Sequence, residues 1–320
     1  MAEINNTSIN FTDTIFNDVD QYAEIGKQWD IDFTQLDSGK LEARLRFMGS
    51  ETFQVFRTSY NKAFLQNGAS PKKLITFGVP QSDFVEFFWR GIKITGNNIL
   101  IFPLNGEIAT ESKAGFDIFG LSFAPDYIEQ VCEKLNYPYL QQKIRNTEVV
   151  TISKMSMNLL RRFIISIFRN LPDQFQFLSD AKFIETIKYE ILKELLFTIE
   201  NHLNTSKIYS NRLRDKAFNK AKVLILENHT KPITVQKLVE ETGISIRTLE
   251  YSFLERFGTT PKVVLKSLRL NGANRELKSK IEGNIHISDI ASRWGFWHMG
   301  QFAKDYKKMF GELPSTTKSK

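Results

Sequence analysis

The sequence predicts an α+β protein, with a β-barrel and flanking helices in its N-terminal half and an all-α C-terminal domain with two helix-turn-helix motifs. Strand-like segments separated by turn residues fill residues 40–123, helical periodicity prevails from residue 124 onward, and one short pattern occurs twice near the C-terminus. The chain has 320 residues, of which 42% are hydrophobic and 25% are charged. This is enough for two globular domains of about 100–200 residues each.

The β-rich segment consists of short apolar stretches. In LEARLRFM every second residue is apolar, so Leu41, Ala43, Leu45 and Phe47 share one face. Further stretches follow, TFQVFRTSY, KLITFGV, DFVEFFW, NILIFP and FDIFGLSF, separated by Gly, Pro, Asn or Ser. Short strands at intervals of about 8–12 residues are typical of a sandwich or barrel. We interpret the phenylalanines of these strands as core, with the lining of an apolar pocket as the alternative.

Helical patterns fill the rest of the chain. Pro125 suits the first turn of a helix, and apolar residues recur every three to four positions near Lys154–Leu171 and Ala181–Leu203. We therefore predict an N-terminal domain over residues 1–203, β-rich at 40–123 and helical at 124–203. Residues 204–215 are predicted as a linker and residues 216–320 as the C-terminal domain.

Positive charge is concentrated in the C-terminal domain. From residue 211 onward there are 21 Lys and Arg against 11 Asp and Glu, although the whole chain carries only +7. This asymmetry points to a polyanionic partner, with nucleic acid the leading candidate. The alternative is a basic surface that only improves solubility.

The sequence favours a cytoplasmic location without a membrane partner. The N-terminus, MAEINNTSIN, has neither the charged head nor the apolar run of a secretory signal. Apolar runs such as Phe163–Phe168 fall far short of the roughly 18–20 residues that span a bilayer. The single cysteine, Cys132, suits a reducing compartment.

We expect no catalytic residues, metal or cofactor. The four histidines are at positions 202, 229, 286 and 298, so the strand-rich half contains none. A cupin-like barrel that acts as an enzyme usually holds a metal through histidines and a carboxylate. The sequence also has no Gly-rich phosphate loop and no nucleophile motif with a histidine partner. The barrel is therefore predicted to bind rather than to catalyse.

The two helix-turn-helix motifs are predicted at about residues 235–257 and 287–310. Each is a short helix, a turn with glycine (Gly243 or Gly295) and a second helix ended by glycine (Gly258 or Gly311). Glycine reaches positive φ at such positions without a Cβ penalty. The predicted buried positions of the two second helices are Ile246, Leu249, Phe253 and Phe257, and Phe302, Tyr306 and Phe310.

Side chains on the opposite faces of these two second helices have the chemistry to contact DNA. A helix in a major groove contacts bases from its N-terminal half and phosphates from its ends. Gly300 can offer only its backbone, and Lys308 has a solvated surface as its alternative role. The predicted DNA-binding residues are Arg247, Thr248, Glu250, Tyr251, Ser252, His298, Gly300, Gln301, Lys304 and Lys308.

The spacer between the motifs, Pro261–Lys280, is also predicted to be helical. Eighteen helical residues span about 27 Å, close to the roughly 34 Å between successive major-groove faces. One chain could therefore place both motifs on the same side of a duplex.

Residues 216–320 resemble the DNA-binding domain of the AraC/XylS transcriptional regulators. The similarity is carried by SIRTLEYSFLERFG, PKVVLKSLRLNGANREL and ISDIASRWGFWHMGQFAKDYKKMFGELPS. It implies recognition helices at about 246–257 and 298–310, and a transcription activator that recruits RNA polymerase; the sequence does not distinguish activation from repression. The N-terminal half is similar in layout to the family's barrel-plus-helices domains, which bind a small-molecule effector or form a homodimer; both roles stay open here.

Two other function classes compete with a sequence-specific regulator. One is an enzyme, either of the cupin type or a DNA-repair methyltransferase that shares the DNA-binding module. The repair enzyme needs a reactive cysteine, whereas Cys132 lies on a predicted amphipathic helix and is interpreted as a buried structural thiol. The other is a basic protein that binds any duplex equally.

Overall fold

The computed structural model describes residues 9–25, 29–170, 180–203, 213–227, 233–279 and 285–319. In these ranges every strand lies before residue 152, and the regular elements after it are all helices. The strands are β1 (Asn10–Phe16), β2 (Asp30–Gln35), β3 (Ala43–Gly49), β4 (Phe53–Tyr60), β5 (Phe64–Ala69), β6 (Ile75–Pro80), β7 (Phe87–Trp89), β8 (Ile92–Ile94), β9 (Asn98–Phe102), β10 (Glu107–Ser112), β11 (Phe116–Phe123) and β12 (Val149–Thr151).

The strands form two separate antiparallel sheets. The first has seven strands in the order β1-β3-β4-β11-β6-β9-β12, and the second has five in the order β2-β5-β10-β7-β8. The prediction of a barrel is therefore wrong, since the described strands form two separate sheets and do not close into a barrel. The edge strands are β1 and β12 in the first sheet and β2 and β8 in the second. Neither sheet closes on itself, and the two sheets pack against each other as two layers.

Strands also occur outside the β-rich segment predicted from the sequence. β1 and β2 precede residue 40, and β12 follows residue 123. β1 is mostly polar, but it pairs with β3 along its length, and its Asp13 forms ion pairs with Arg44 and Arg46. Such an edge strand is specified by pairing and charge rather than by an apolar pattern.

The helices include the two long patterns predicted from the sequence. They are α1 (Val19–Ile25), α2 (Pro125–Lys134), α3 (Leu140–Arg145), α4 (Lys154–Asn170), α5 (Ala181–Glu200), α6 (Leu213–Glu227), α7 (Val235–Thr242), α8 (Ile246–Phe257), α9 (Pro261–Lys278), α10 (Ile287–Arg293), α11 (Met299–Phe310) and α12 (Pro314–Lys318). Of the predicted linker, residues 204–212 lie outside the described residues. Among the described helices, none combines the length and apolar character that crossing a membrane requires.

Each face of the first sheet is covered by its own core. Helices α2, α4 and α5 pack on the outer face, where Phe77, Phe119 and Leu195 are fully buried. The inner face packs against the second sheet around Tyr60, Phe64 and other aromatic residues. The phenylalanine-rich strands thus supply two apolar layers on opposite sides of one sheet.

The C-terminal helices pack on the second sheet and share a core with it. Leu36 and Leu65 of the N-terminal half are buried together with Phe218 of α6 and with Leu249 and Phe253 of α8. A separate small core holds α10 and α11 against the C-terminal half of α9, with Phe302 and Tyr306 at its centre. The two halves of the chain are therefore in direct contact.

Candidate nucleic-acid interface

The first helix pair is formed by α7 and α8. Thr234 caps α7 by accepting from the backbone N–H of Lys237, and Ser245 caps α8 by accepting from the N–H of Thr248. Gly243 ends α7 with a φ of 70°, a left-handed conformation that glycine adopts without strain. Two side-chain caps and one glycine thus set the turn between the helices.

The first helix pair exposes one side of α8. Arg247, Glu250 and Tyr251 are exposed, and the guanidinium of Arg247 lies 5.7 Å from the ring centroid of Tyr251. Thr248 is half-buried, and its hydroxyl lies 2.9 Å from that of Ser245. Donors and acceptors are therefore grouped near the N-terminal end of α8.

Two assignments on α8 made from the sequence are wrong. Ser252, predicted to face DNA, is buried and donates its hydroxyl to the carbonyl oxygen of Thr248. Ile246, predicted to be buried, is 49% exposed because it lies at the first position of the helix, before the apolar stripe begins. Leu249, Phe253 and Phe257 do form the buried stripe.

The second helix pair is formed by α10 and α11. Gly295, with a φ of 75°, lies in the turn, and Gly311, with a φ of 81°, ends α11. Phe302 and Tyr306 are buried, and Phe310 is half-buried. His298 occupies the N-cap position, and His298, Gly300, Gln301, Lys304 and Lys308 are all exposed. A methyl group added at Gly300 would meet no atom within 4 Å.

Helix α9 connects the two pairs, and its close contact with the turn of the second pair was not predicted. A Cβ at Gly272 would collide with the ring of Trp294, so glycine lets the turn approach α9. The indole of Trp294 donates to Glu276 over 2.7 Å, and Arg293 also pairs with Glu276. The glycine inside the helical pattern LNGANREL was the available sequence signal for a close approach.

A buried hydrogen-bond chain fixes α11 to α9. The side-chain amide of Asn274 donates to the phenol oxygen of Tyr306 over 2.6 Å, and that phenol donates to Thr317 over 2.9 Å. Burial raises the pKa of Tyr306, so its hydroxyl keeps its proton at neutral pH and can donate. Buried chains in which every member is bonded hold elements in one arrangement.

The N-terminal domain anchors α8 from behind. Arg256, 2% exposed, lies between the rings of Phe88 on β7 and Phe218 on α6, each with its centroid 4.1 Å away. Helical periodicity could not reveal this contact, since an arginine side chain is expected to be exposed. Arg256 therefore stabilises the domain contact and is not available to DNA.

The N-terminal domain also holds α9, along β2. Asn271 donates to the carbonyl oxygen of Gln35 and Ser267 to that of Leu36, both over 2.7 Å. At the end of α9, Lys278 pairs with Asp18 at 2.8 Å and with Asp20 at 2.7 Å. Helices α8 and α9 are thus both attached to the second sheet.

The exposed side chains near the starts of α8 and α11 include Arg247, Glu250, His298, Gln301 and Lys304. Within the described ranges, no group of three or more His, Cys, Asp or Glu side chains is arranged to hold a metal ion. The exposed groups can donate and accept hydrogen bonds and can neutralise phosphate charge. Such a surface is suited to binding a polyanion with polar edges.

The chain is similar to known proteins over part of its length. A helix-turn-helix domain model matches residues 238–320. The "Probable thc operon regulatory protein" of Rhodococcus erythropolis is 32% identical over 133 residues, which cover 41% of this chain and 40% of that protein. A crystal structure of a probable AraC family transcriptional regulator from Rhodopseudomonas palustris is 35% identical, covering 32% of this chain and 95% of that one, with a TM-score of 0.31.

A further relative is matched over most of its length. The XylDLEGF operon transcriptional activator 2 of Pseudomonas putida is 30% identical over 129 residues, which cover 40% of this chain and 80% of the relative. With the helix-turn-helix match at residues 238–320, this similarity shows that the chain belongs to the AraC/XylS family of transcriptional regulators.

Proposed function

We propose that this protein is a sequence-specific DNA-binding transcription regulator of the cytoplasm. In this proposal α7–α8 and α10–α11 are both helix-turn-helix motifs, and α8 and α11 are their recognition helices. The observation that carries it is the pair of similar helix pairs, joined by α9, each with an exposed polar face at the start of its second helix. The excess of Lys and Arg after residue 211 supplies the attraction to phosphate.

Within each motif, residues near the start of the second helix contact base edges. On α8 these are Arg247, Glu250 and Tyr251, with Arg247 suited to guanine and Glu250 to cytosine. On α11 they are His298, Gln301 and Lys304, and Gly300 allows the backbone to approach the duplex. Thr248 and Lys308 are assigned to phosphates, whereas the buried Ser252 is left out.

The N-terminal domain senses a small-molecule effector in this proposal, and activation occurs by recruitment of RNA polymerase. A cavity between the two sheets supports the sensing role, and the word "activator" in the name of the Pseudomonas putida relative supports the direction of control. Formation of a homodimer through the N-terminal domain is the alternative role. Sedimentation of the free protein separates the two, because sensing alone does not require a second copy.

Selection of bound fragments from the host genome tests sequence specificity. The selected sites are expected to bind at least about 1,000 times more tightly than random duplexes of equal length. Equal affinity for both would contradict the proposal and favour a basic protein without sequence preference. Arg247→Ala should then lower affinity for a selected site by about 1–3 kcal/mol and relax preference at particular base pairs.

Arg145→Ala is the matched control for charge, because Arg145 is exposed on α3, in the N-terminal domain. This variant should bind the selected site as the unchanged protein does. A uniform loss by Arg247→Ala on every sequence would instead make Arg247 a phosphate contact.

Footprinting tests whether both motifs bind. Lys304→Ala should weaken protection in the half-site bound by α11, and Tyr251→Ala should weaken it in the other half. An equal loss in both halves from either variant would contradict two separate recognition helices.

A further inference from the structure

A cavity of about 330 Å³ lies between the two sheets of the N-terminal domain. This volume is at the lower end of the range of about 300–1,000 Å³ found for small-molecule sites. Under the proposed function this domain responds to an effector. The lining of the cavity indicates the chemical class of that effector, and this assignment rests on the proposed function.

The described residues that line the cavity include no charged side chain. Ten of them are aromatic, and the ring of Trp29 lies edge-on to Phe56 and Phe102, with centroids 5.6 and 5.7 Å away. An ionised ligand would lose its hydration here without a compensating charge, which is strongly unfavourable. The described part of the lining therefore selects against carboxylates, phosphates and ammonium groups.

Neutral polar groups occupy part of the wall. The hydroxyls of Tyr22 and Thr58 are hydrogen-bonded to each other, and the amide of Gln66 donates to the phenol oxygen of Tyr60. Burial raises the pKa of Tyr22 to about 12 and that of Tyr60 well above its usual value. Both phenols therefore remain uncharged, and their hydroxyls can exchange the bonds to Thr58 and Ser112 for a bond to a hydroxyl or carbonyl group of a ligand.

The backbone preserves this space. Gly120 of β11 and Gly78 of β6 are directly paired and both line the cavity. A Cβ at Gly120 would overlap the ring of Phe56, so the missing side chain lets that ring lie against the sheet. Glycine inside a strand marks such a close approach.

Helix α1 and strand β2 line the cavity and also lie next to α9. Tyr22, Ile31 and Phe33 line the cavity, whereas Asp18 and Asp20, at the start of α1, pair with Lys278 of α9. A ligand that repositions α1 or β2 therefore acts on the helix between the two proposed recognition helices.

We propose that this cavity binds an uncharged, mainly apolar small molecule with a hydroxyl or carbonyl group, and that anions of the same shape are rejected. The test compares 2-naphthol, which is neutral at pH 7, with 2-naphthoate, an anion of similar size. Calorimetric titration of the full chain should show one naphthol site and an affinity for naphthoate lower by about tenfold or more.

Ile31→Trp is the variant that fills the cavity, because Ile31 lines it from β2. This variant should abolish naphthol binding. Ile92→Trp is the matched control, since Ile92 is a half-buried isoleucine on β8, the opposite edge of the same sheet, and does not line the cavity. If Ile31→Trp fails to fold, Thr12→Phe on β1 provides a block from the facing sheet.

Naphthoate binding as tightly as naphthol, no naphthol binding, or naphthol binding that survives a folded blocking variant would each overturn the inference. Binding to a selected DNA site is measured on the same preparations. If specific DNA binding persists, only the ligand class has failed; if it is absent from the unchanged protein, the proposed function has failed.

Discussion

The ammonium group of Lys222 on α6 lies 2.5 Å from Oε1 of Glu111 on β10, in an ion pair between the C-terminal helices and the second sheet. The Glu111 side chain is 1% exposed and that of Lys222 is 12% exposed. Removing one partner of a buried pair leaves the other charge without compensation, which is far more costly than removing both.

Lys222→Met should therefore lower the free energy of unfolding by about 3–5 kcal/mol, as measured by urea denaturation. The double variant Lys222→Met/Glu111→Gln should recover most of this loss, because no buried charge remains. Lys220→Met is the control, since Lys220 is exposed on the same helix and should change stability by less than about 0.5 kcal/mol. A single variant as stable as this control would show that the pair is not buried in solution.

Gly300→Ala should separate folding from DNA binding. A methyl group there meets no atom of the free protein, and alanine favours a helix, so the thermal midpoint should stay the same or rise. If α11 approaches the duplex through its backbone, the methyl group should cost about 1 kcal/mol or more of affinity for a selected site. Unchanged affinity, measured by a shift assay, would exclude a close approach at Gly300.

Acid should weaken the contact between α9 and α1. Burial alone would raise the pKa of Asp18, but the hydrogen bond and charge of Lys278 outweigh it, and the net pKa lies below the usual value. A carboxyl group whose pKa is lower in the folded chain than in the unfolded chain stabilises the fold. This stabilisation is complete at a pH above the unfolded pKa of about 3.9 and is lost as the pH falls through the folded pKa.

In Asp18→Asn the free energy of unfolding should consequently decrease less below about pH 5 than it does in the unchanged protein. The measurement is urea denaturation across a pH series, with the exposed Glu51→Gln as control. An acid dependence identical to that of the unchanged protein would show that Asp18 and Lys278 do not pair.

Cys132 should be unreactive in the native protein. Burial, with smaller contributions from Glu200 and Glu129, raises the pKa of its thiol to about 11, so it remains protonated at pH 8. A thiol reagent should react at least about 100 times more slowly with the folded chain than with the urea-unfolded chain. Rapid native reaction, or methyl transfer onto Cys132 from alkylated DNA, would favour the repair-enzyme alternative.

The parts of the fold that depend on local pattern were predictable from the sequence. The glycines at 243, 258, 295 and 311 all have the positive φ that their places in the repeated pattern required. The buried positions Leu249, Phe253, Phe302 and Tyr306 followed from helical periodicity. These features are set by residues a few positions apart, within the reach of a single-sequence argument.

The parts that depend on distant contacts were not predictable. Arg256 is buried because Phe88, far away in the chain, lies on the other side of it. Ser252 is buried because its hydroxyl can form a hydrogen bond within its own helix. The spacing of apolar residues along the helix does not reveal this. Whether the strands close into a barrel or form two layers depends on which edges pair, and the sequence does not encode this locally.

Helix α9 runs without interruption for 18 residues and contacts both helix pairs and the second sheet. Adding or deleting one residue within it would rotate all later residues by about 100° and shift them by about 1.5 Å. In the proposed mode of binding, α11 would then face away from the groove that α8 selects, although every side chain that faces DNA was intact. Under this proposal the length of α9 sets the spacing between the two half-sites of the operator, and an operator with another spacing would require an α9 of another length.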